Sequence, residues 1–291
     1  MKNKNRILIV GGSGFVGTQL AKALVRNHEV SCTYRNEFTA LPGIDYIPFH
    51  GIHEKDRCTS LIQKVKPEVV IFAAGSNDPE RAEKEVNQSQ TVHLTGANQM
   101  LTAAEYAKAK YIYLSSDWVF SGMDGNFGEA DTAIPFHGLG KTKLGAENYI
   151  RSRSLNHVII RCAPLLGRGT LDHPSWVDQL REAGVFERPR VLSDRSIHNP
   201  VHVRELALLI ERVIENDIRN KTLHLGGLTR ISEYQLALKI FKTFGYDVKH
   251  LSPAKTGPQN AIQDYSLNST QTLKLLKTEP LLLQQSLDLL K

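Results

Sequence analysis

The chain has 291 residues, 41% of them hydrophobic, with 36 Lys and Arg against 30 Asp and Glu for a formal charge of +6. That length can bury one large core and a smaller lobe, and a charged fraction of 23% without a long biased segment excludes global disorder. The Lys and Arg are scattered, with no run of five or more, so the positive excess points to a nucleotide ligand rather than a nucleic-acid groove.

In chain order, MKNKNR followed by ILIV imitates the start of a signal peptide, but the apolar run breaks at Gly11 and Gly12, too early for an h-region. No stretch approaches the ~18 apolar residues of a membrane span. A soluble, cytoplasmic protein without a membrane partner is expected. Cys32, Cys58 and Cys162 stand far apart and form no CxxC pair. Neither a metal site nor a disulfide frame is supported, and three reduced thiols are expected.

Arg6 to Gly12 is a short apolar run ending in glycine, which predicts a buried parallel strand. Val16, Leu20, Ala23 and Leu24 have helical spacing within Phe15 to Asn27. Strands are predicted over His28–Arg35 and Ile44–Phe49, and a helix marked by Leu61, Ile62 and Val65 stops before Pro67. A strand over Pro67–Gly75, a long helical region from about Pro79 to Ala109 and a strand over Lys110–Ser116 follow. Such alternation predicts an α/β fold: a doubly wound, Rossmann-like parallel sheet covered on both faces, with a small C-terminal substrate lobe.

Beyond it, Asp117 to His137 reads as a loop, Leu139–Ser154 as a helix and His157–Ala163 as a strand. After Pro164 the pattern turns irregular. A strand at Thr222–Gly227, a helix from Ser232 to Gly245 with a serine start and glycine stop, and two short helices after Thr270 remain legible. The expected division is a dinucleotide-binding part over 1–163 and a mainly substrate-binding lobe over 164–291, some of whose segments return to the sheet.

Two segments carry the chemistry. GGSGFVG places Gly11, Gly14 and Gly17 between the first strand and the first helix, with Phe15 and Val16 opening that helix. Glycines there allow a tight turn and a close approach of pyrophosphate to backbone N–H groups at the helix N-terminus. Ala73, Ala74 and Gly75 end the fourth strand beside it. Arg35 ends the second strand where a cation could hold the 2′-phosphate of NADP, so NADP(H) is favoured over NAD(H). Glu37 could serve a ribose if the register slips. The second segment, SSDWVFSG, carries Ser116, Asp117 and Trp118 out at the C-terminal edge of the sheet, and HGLGKTKLGAE follows.

With these motifs, VVIFAAG and SIHNPVHVRELA, the chain resembles the extended short-chain dehydrogenase/reductase superfamily, and within it the dTDP-4-dehydrorhamnose reductase family. The resemblance implies reduction of a 4-keto sugar carried on a nucleotide, with a nucleotide-linked sugar as partner. It assigns Ser116 to the substrate carbonyl, Asp117 to an accompanying carboxylate, Lys143 to the nicotinamide ribose and Arg195 to the vicinity of the sugar nucleotide. The position of the proton-donating tyrosine is Leu139.

Leucine has no proton to give, and a positioned acid is worth ~10²–10⁴-fold in rate. His137, two residues away, is one candidate substitute, and Ser116 relaying a proton from water is the other. Phe72, His93 and Gly257–Pro258 depart from the family at an asparagine before the AA pair, an asparagine in a VN pair and an Arg-Pro pair. The expected function is therefore a NAD(P)-binding protein, non-catalytic or strongly impaired, with room for a protein partner. A regulatory subunit of methionine adenosyltransferase is implied to share this fold. The alternatives are an active reductase with a substitute acid, or an epimerase or dehydratase.

Overall fold

The computed structural model describes residues 4–36, 38–254 and 261–291. The predicted Glu37 and Gly257–Pro258 positions lie outside these residues.

The first half alternates as the patterning requires: β1 (Arg6–Val10), α1 (Phe15–Leu24), β2 (Glu29–Tyr34), β3 (Asp45–Pro48), α2 (Lys55–Val65), β4 (Val69–Phe72), α3 (Pro79–Lys84), α4 (Val86–Gln90), α5 (Ala97–Tyr106), β5 (Lys110–Ser116), α6 (Gly138–Arg153) and β6 (His157–Cys162). The second half holds β7 (Leu165–Leu166), α7 (Trp176–Val185), β8 (Arg190–Leu192), β9 (Ser196–His198), β10 (Val201–His202), α8 (Val203–Glu215), β11 (Lys221–Leu225), β12 (Ile231–Ser232), α9 (Glu233–Phe244), β13 (Leu251–Pro253), β14 (Gln263–Asp264), α10 (Thr270–Leu276) and α11 (Leu283–Asp288).

Seven strands form one sheet in the order β11-β6-β5-β4-β1-β2-β3, and every pairing in it is parallel. The chain winds outward from β1 through β2 to β3, then returns to β4 on the other side of β1. The crevice beyond the C-terminal ends of β1 and β4 is thus the switch point where such sheets bind ligands. Alternation in β1 divides the core: Ile7 and Ile9 face a cluster with Leu20, Leu24, Leu206 and Ile210. Leu8 and Val10 face Leu61, Met100, Tyr111 and Tyr113. Burial of each such side chain contributes roughly 1.5–3 kcal/mol, so helices cover both faces of the sheet.

Three local outcomes differ from the sequence reading. The long helix expected over Pro79–Ala109 is broken at Glu85, whose φ of −115° and ψ of 50° are not helical, and continues through a π-helical turn at Thr91–Gly96. Asp117–Val119, within the expected loop, forms a short 3-10 turn. Helices α7 and α8 arise where the pattern looked irregular. Their N-terminal boxes use Ser175 with Asp178 and His202 with Glu205, pairs outside the usual Ser/Thr with Glu/Gln signature.

The C-terminal lobe has its own apolar cluster, including Leu180, Leu192, Leu236, Ile240, Phe241 and Leu287. Segments of it reach back: β11 pairs with β6, and Leu206, Leu209 and Ile210 of α8 with Leu276 of α10 join the core that α1 packs into. The three cysteines are free and buried. Among the described residues no helix is long and apolar enough to cross a membrane.

Candidate functional site

The glycine loop is built by contacts that forbid side chains. A Cβ on Gly17 would stand 2.2 Å from the Gly11 carbonyl oxygen, and one on Gly11, whose φ is +85°, would stand 2.7 Å from the Ala74 Cα. The Gly11 N–H donates to the Thr33 hydroxyl at 2.9 Å, tying the turn to β2. Arg35, two residues beyond Thr33, is exposed on that same edge. Gly14 differs: a Cβ there meets only the Gly11 carbonyl oxygen, at 3.5 Å. Gly14 is also the N-cap of α1; no side chain caps that end and its first turn carries no acidic residue. The leading N–H groups, at Phe15 and Val16, together with the positive end of the helix dipole, fit an anionic pyrophosphate. Gly11, Gly14, Gly17, Ala73, Ala74 and Gly75 therefore come together at the switch point.

Lys143 lies buried in α6, donating to the Leu114 carbonyl at 3.0 Å, with its ammonium 5.6 Å from the centre of the Tyr113 ring. Burial pushes its pKa down to about 8, against the opposing pull of Cys162, Glu147 and Asp117. His93 sits in the π-helical turn. Its ring packs on Gly75, whose φ is +102° and whose Cβ would fall 2.3 Å from the His93 Cε1. Burial, then Lys143, lowers the His93 pKa to about 3, so the ring is neutral. Its Nε2 donates to the Ser76 carbonyl at 2.8 Å, and its Nδ1 is buried without a hydrogen-bond partner among the described residues. Phe72 packs in the core beside Tyr111 and Tyr113.

Ser116 and Asp117 are fully buried at the end of β5. The Ser116 hydroxyl donates to Asp117 Oδ1 at 2.9 Å, and His198 Nδ1 donates to Asp117 Oδ2 at 2.6 Å. Beside His198 stands Tyr265, from the C-terminal lobe. Its ring stacks on His198 at 5.2 Å and packs on Trp118 at 4.5 Å. His137 meets the edge of Trp118 at 4.9 Å. With His137 Nδ1 turned toward Glu83 at 3.5 Å, its Nε2 is left to accept from the Tyr265 hydroxyl at 3.1 Å. Burial, then Asp117, pushes the Tyr265 pKa up to about 12, so it holds its proton.

A buried ion network underpins this end of the sheet. Glu147 of α6 accepts from Ser115 at 2.5 Å, Arg161 at 2.8 Å and Arg151 at 2.6 Å. Burial acts to raise the Glu147 pKa; the guanidiniums and the Ser115 hydroxyl outweigh it and hold it below the ordinary value. Leu139, one helical turn before Lys143, is fully buried.

Ser116, Asp117, Trp118 and His137 are thus gathered in one cluster, with Lys143 and Leu139 on the helix beside it. Arg195 lies on an exposed turn between β8 and β9, its carbonyl accepting from the Gln263 N–H at 2.9 Å. Tyr265 and His198 escaped the sequence reading. His198 stood inside the SIHNPVHVRELA motif, which offered a signal, but nothing near Tyr265 marks it.

A parallel sheet reversing order at a glycine loop, with Ser116 and Lys143 at its edge, defines an extended short-chain dehydrogenase/reductase scaffold. Residues 5–285 match the family model described as the RmlD substrate binding domain, and the chain belongs to that family. It is 24% identical over 270 residues to methionine adenosyltransferase 2 subunit beta of Pongo abelii, spanning 87% of this chain and 76% of that protein. It is 29% identical over 242 residues to dTDP-4-dehydrorhamnose reductase of Aggregatibacter actinomycetemcomitans, spanning 81% and 78% respectively. Among solved structures, dTDP-4-dehydrorhamnose reductase from Bacillus anthracis in complex with NADP shares the fold with a TM-score of 0.81 at 21% identity, over 98% of both chains. UDP-glucose 4-epimerase from Thermotoga maritima with UDP-glucose shares it with a TM-score of 0.84 at 17% identity, over 97% of this chain and 96% of that one.

Proposed function

We propose that this member of the dTDP-4-dehydrorhamnose reductase-like family binds a nicotinamide dinucleotide and reduces keto-sugar nucleotides poorly or not at all. The carrying observation is the proton-donor position. Leu139 is apolar and fully buried, and the Ser116 hydroxyl that would meet a carbonyl is itself buried and bonded to Asp117. Bound NADPH or NADH would supply a hydride; what the chain lacks is the group that gives the proton. The cradle for the dinucleotide is kept: Gly11, Gly14 and Gly17 with the α1 N-terminus for the pyrophosphate, Lys143 for the nicotinamide ribose, and exposed Arg35 favouring a 2′-phosphate. A role through a protein partner is supported by the relatives named as a subunit of methionine adenosyltransferase. We place the protein in the cytoplasm.

A second reading, an active reductase with a substitute acid, draws on the chain from the Tyr265 hydroxyl through His137 to Glu83, a carboxylate at the surface. Fluorescence titration with NADPH and NADH, followed by turnover of dTDP-4-dehydrorhamnose, separates the two. Saturable binding, tighter for NADPH, with turnover lower by about 10²-fold or more than in a tyrosine-bearing relative is expected. Turnover matching such a relative and abolished by His137→Ala would establish the second reading, and absence of binding by both cofactors would sink the first.

A further inference from the structure

Resting on that reading, we infer that Tyr265 is the specificity determinant of this cleft: its ring stands in the place of a hexose and excludes the sugar of a nucleotide sugar.

The chemistry matches. A phenol ring is six-membered, with two apolar faces and a hydroxyl at its rim, which is what a pyranose offers an aromatic pocket. Tyr265 has one face stacked 14° from parallel on His198, further packing on Trp118, and its hydroxyl on His137 Nε2. Tyr265, Ser116 and Asp117 are all without solvent exposure.

The placement is built into the backbone. The Tyr265 N–H donates to the Ile197 carbonyl at 2.8 Å, and the Asp264 N–H to the Gly122 carbonyl at 2.6 Å. Arg230 pairs with the Asp264 carboxylate, whose Oδ1 accepts from the Ser266 N–H at 2.9 Å. Two residues on, the Asn199 amide bonds both the N–H and the carbonyl of Leu267, at 2.9 and 2.8 Å. The opposite wall is shaped to the ring: Gly122 has φ +75°, and a Cβ on it would fall 2.7 Å from the Tyr265 Cζ. A side chain so tied at its backbone and so boxed by its neighbours is a fixed part of the cleft.

The test compares dTDP-glucose with free dTDP, and NADPH alongside, by calorimetry on the full-length wild type, Tyr265→Ser and Tyr265→Phe. In the wild type and in Tyr265→Phe, which keeps the ring, the hexose is expected to add no affinity over dTDP. In Tyr265→Ser, dTDP-glucose is expected to bind at least tenfold tighter than dTDP, with NADPH affinity unchanged. If Tyr265→Ser does not fold, Tyr265→Leu, which lacks the far half of the ring, is expected to show the same gain at smaller size. A wild type that gains from the hexose as much as the variant, or folded variants that gain nothing, overturns the inference whatever NADPH does. Failure of NADPH to bind, with the hexose gain present in Tyr265→Ser, removes the cofactor reading and leaves this one standing.

Discussion

At the scale of single residues, the site is governed by groups whose charge the fold suppresses or holds. Lys143 is a base whose folded pKa, about 8, lies below its ordinary 10.5. Below about pH 8 the folded state bears the desolvation penalty in full; between about 8 and 10.5 the unfolded chain holds the extra proton, and stability rises with pH. Lys143→Met is therefore expected to stabilise the ligand-free protein at pH 7 by on the order of 1–3 kcal/mol, with the gain shrinking toward pH 10. The same variant should bind NADPH at least tenfold more weakly. Urea melts at pH 7 and pH 10, with a cofactor titration, check both. An unchanged NADPH affinity would show that Lys143 does not face the cofactor. Leu139 and Lys143 were both legible as positions in a spaced motif, because a one-turn helical spacing is a local property. Tyr265 was not: its partner His137 is 128 residues away, and its role depends on where the C-terminal lobe delivers it.

At the scale of elements, the turn from β1 into α1 separates folding from binding. Gly17 and Gly14 look alike in the sequence, yet only Gly17 lacks space for a side chain. Gly17→Ala must drive a Cβ into the Gly11 carbonyl and is expected to destabilise by roughly 1–3 kcal/mol. Gly14→Ala is expected to shift stability by less than about 0.5 kcal/mol, yet to weaken NADPH at least tenfold by crowding the pyrophosphate path. Thermal melts and titrations on the two variants test this, and a Gly14→Ala that binds normally would remove the pyrophosphate from this turn. The elements themselves were read well wherever the apolar period was clean, as in β1, β4 and β5. The break at Glu85 and the π-helical turn were not read, because the sequence around His93 keeps helical character. The His93 ring against Gly75 accompanies the turn, and that contact is tertiary. Helix α8 was missed for another reason: its start is capped by His202, a residue that carries no usual start signal.

At the scale of the whole molecule, the sheet is completed by chain from beyond residue 163. Strand β11 covers the edge of β6, and α8 buries Leu206, Leu209 and Ile210 against the face of α1. A fragment of residues 1–163 would expose Val158, Ile160, Leu20 and Leu24, each worth roughly 1.5–3 kcal/mol when buried. It is expected to be aggregated or without a cooperative melt by circular dichroism, while a fragment extended through α10 should regain one. A fragment 1–163 that melts cooperatively would mean that the first six strands suffice.

The sequence by itself determined the wound parallel sheet, the glycine turn at its switch point and the family, because these rest on periodicity and on motifs contiguous in the chain. It also singled out the helix from Leu139 to Lys143. Only the tertiary structure decided what surrounds that helix. Ser116 is committed to Asp117, Asp117 to His198, and the Tyr265 ring stacks on His198. The Asp117–His198 bond joins residues 81 apart in the chain, and the Tyr265–His137 bond joins residues 128 apart. They depend on the packing of one lobe against the other, which no local spacing encodes.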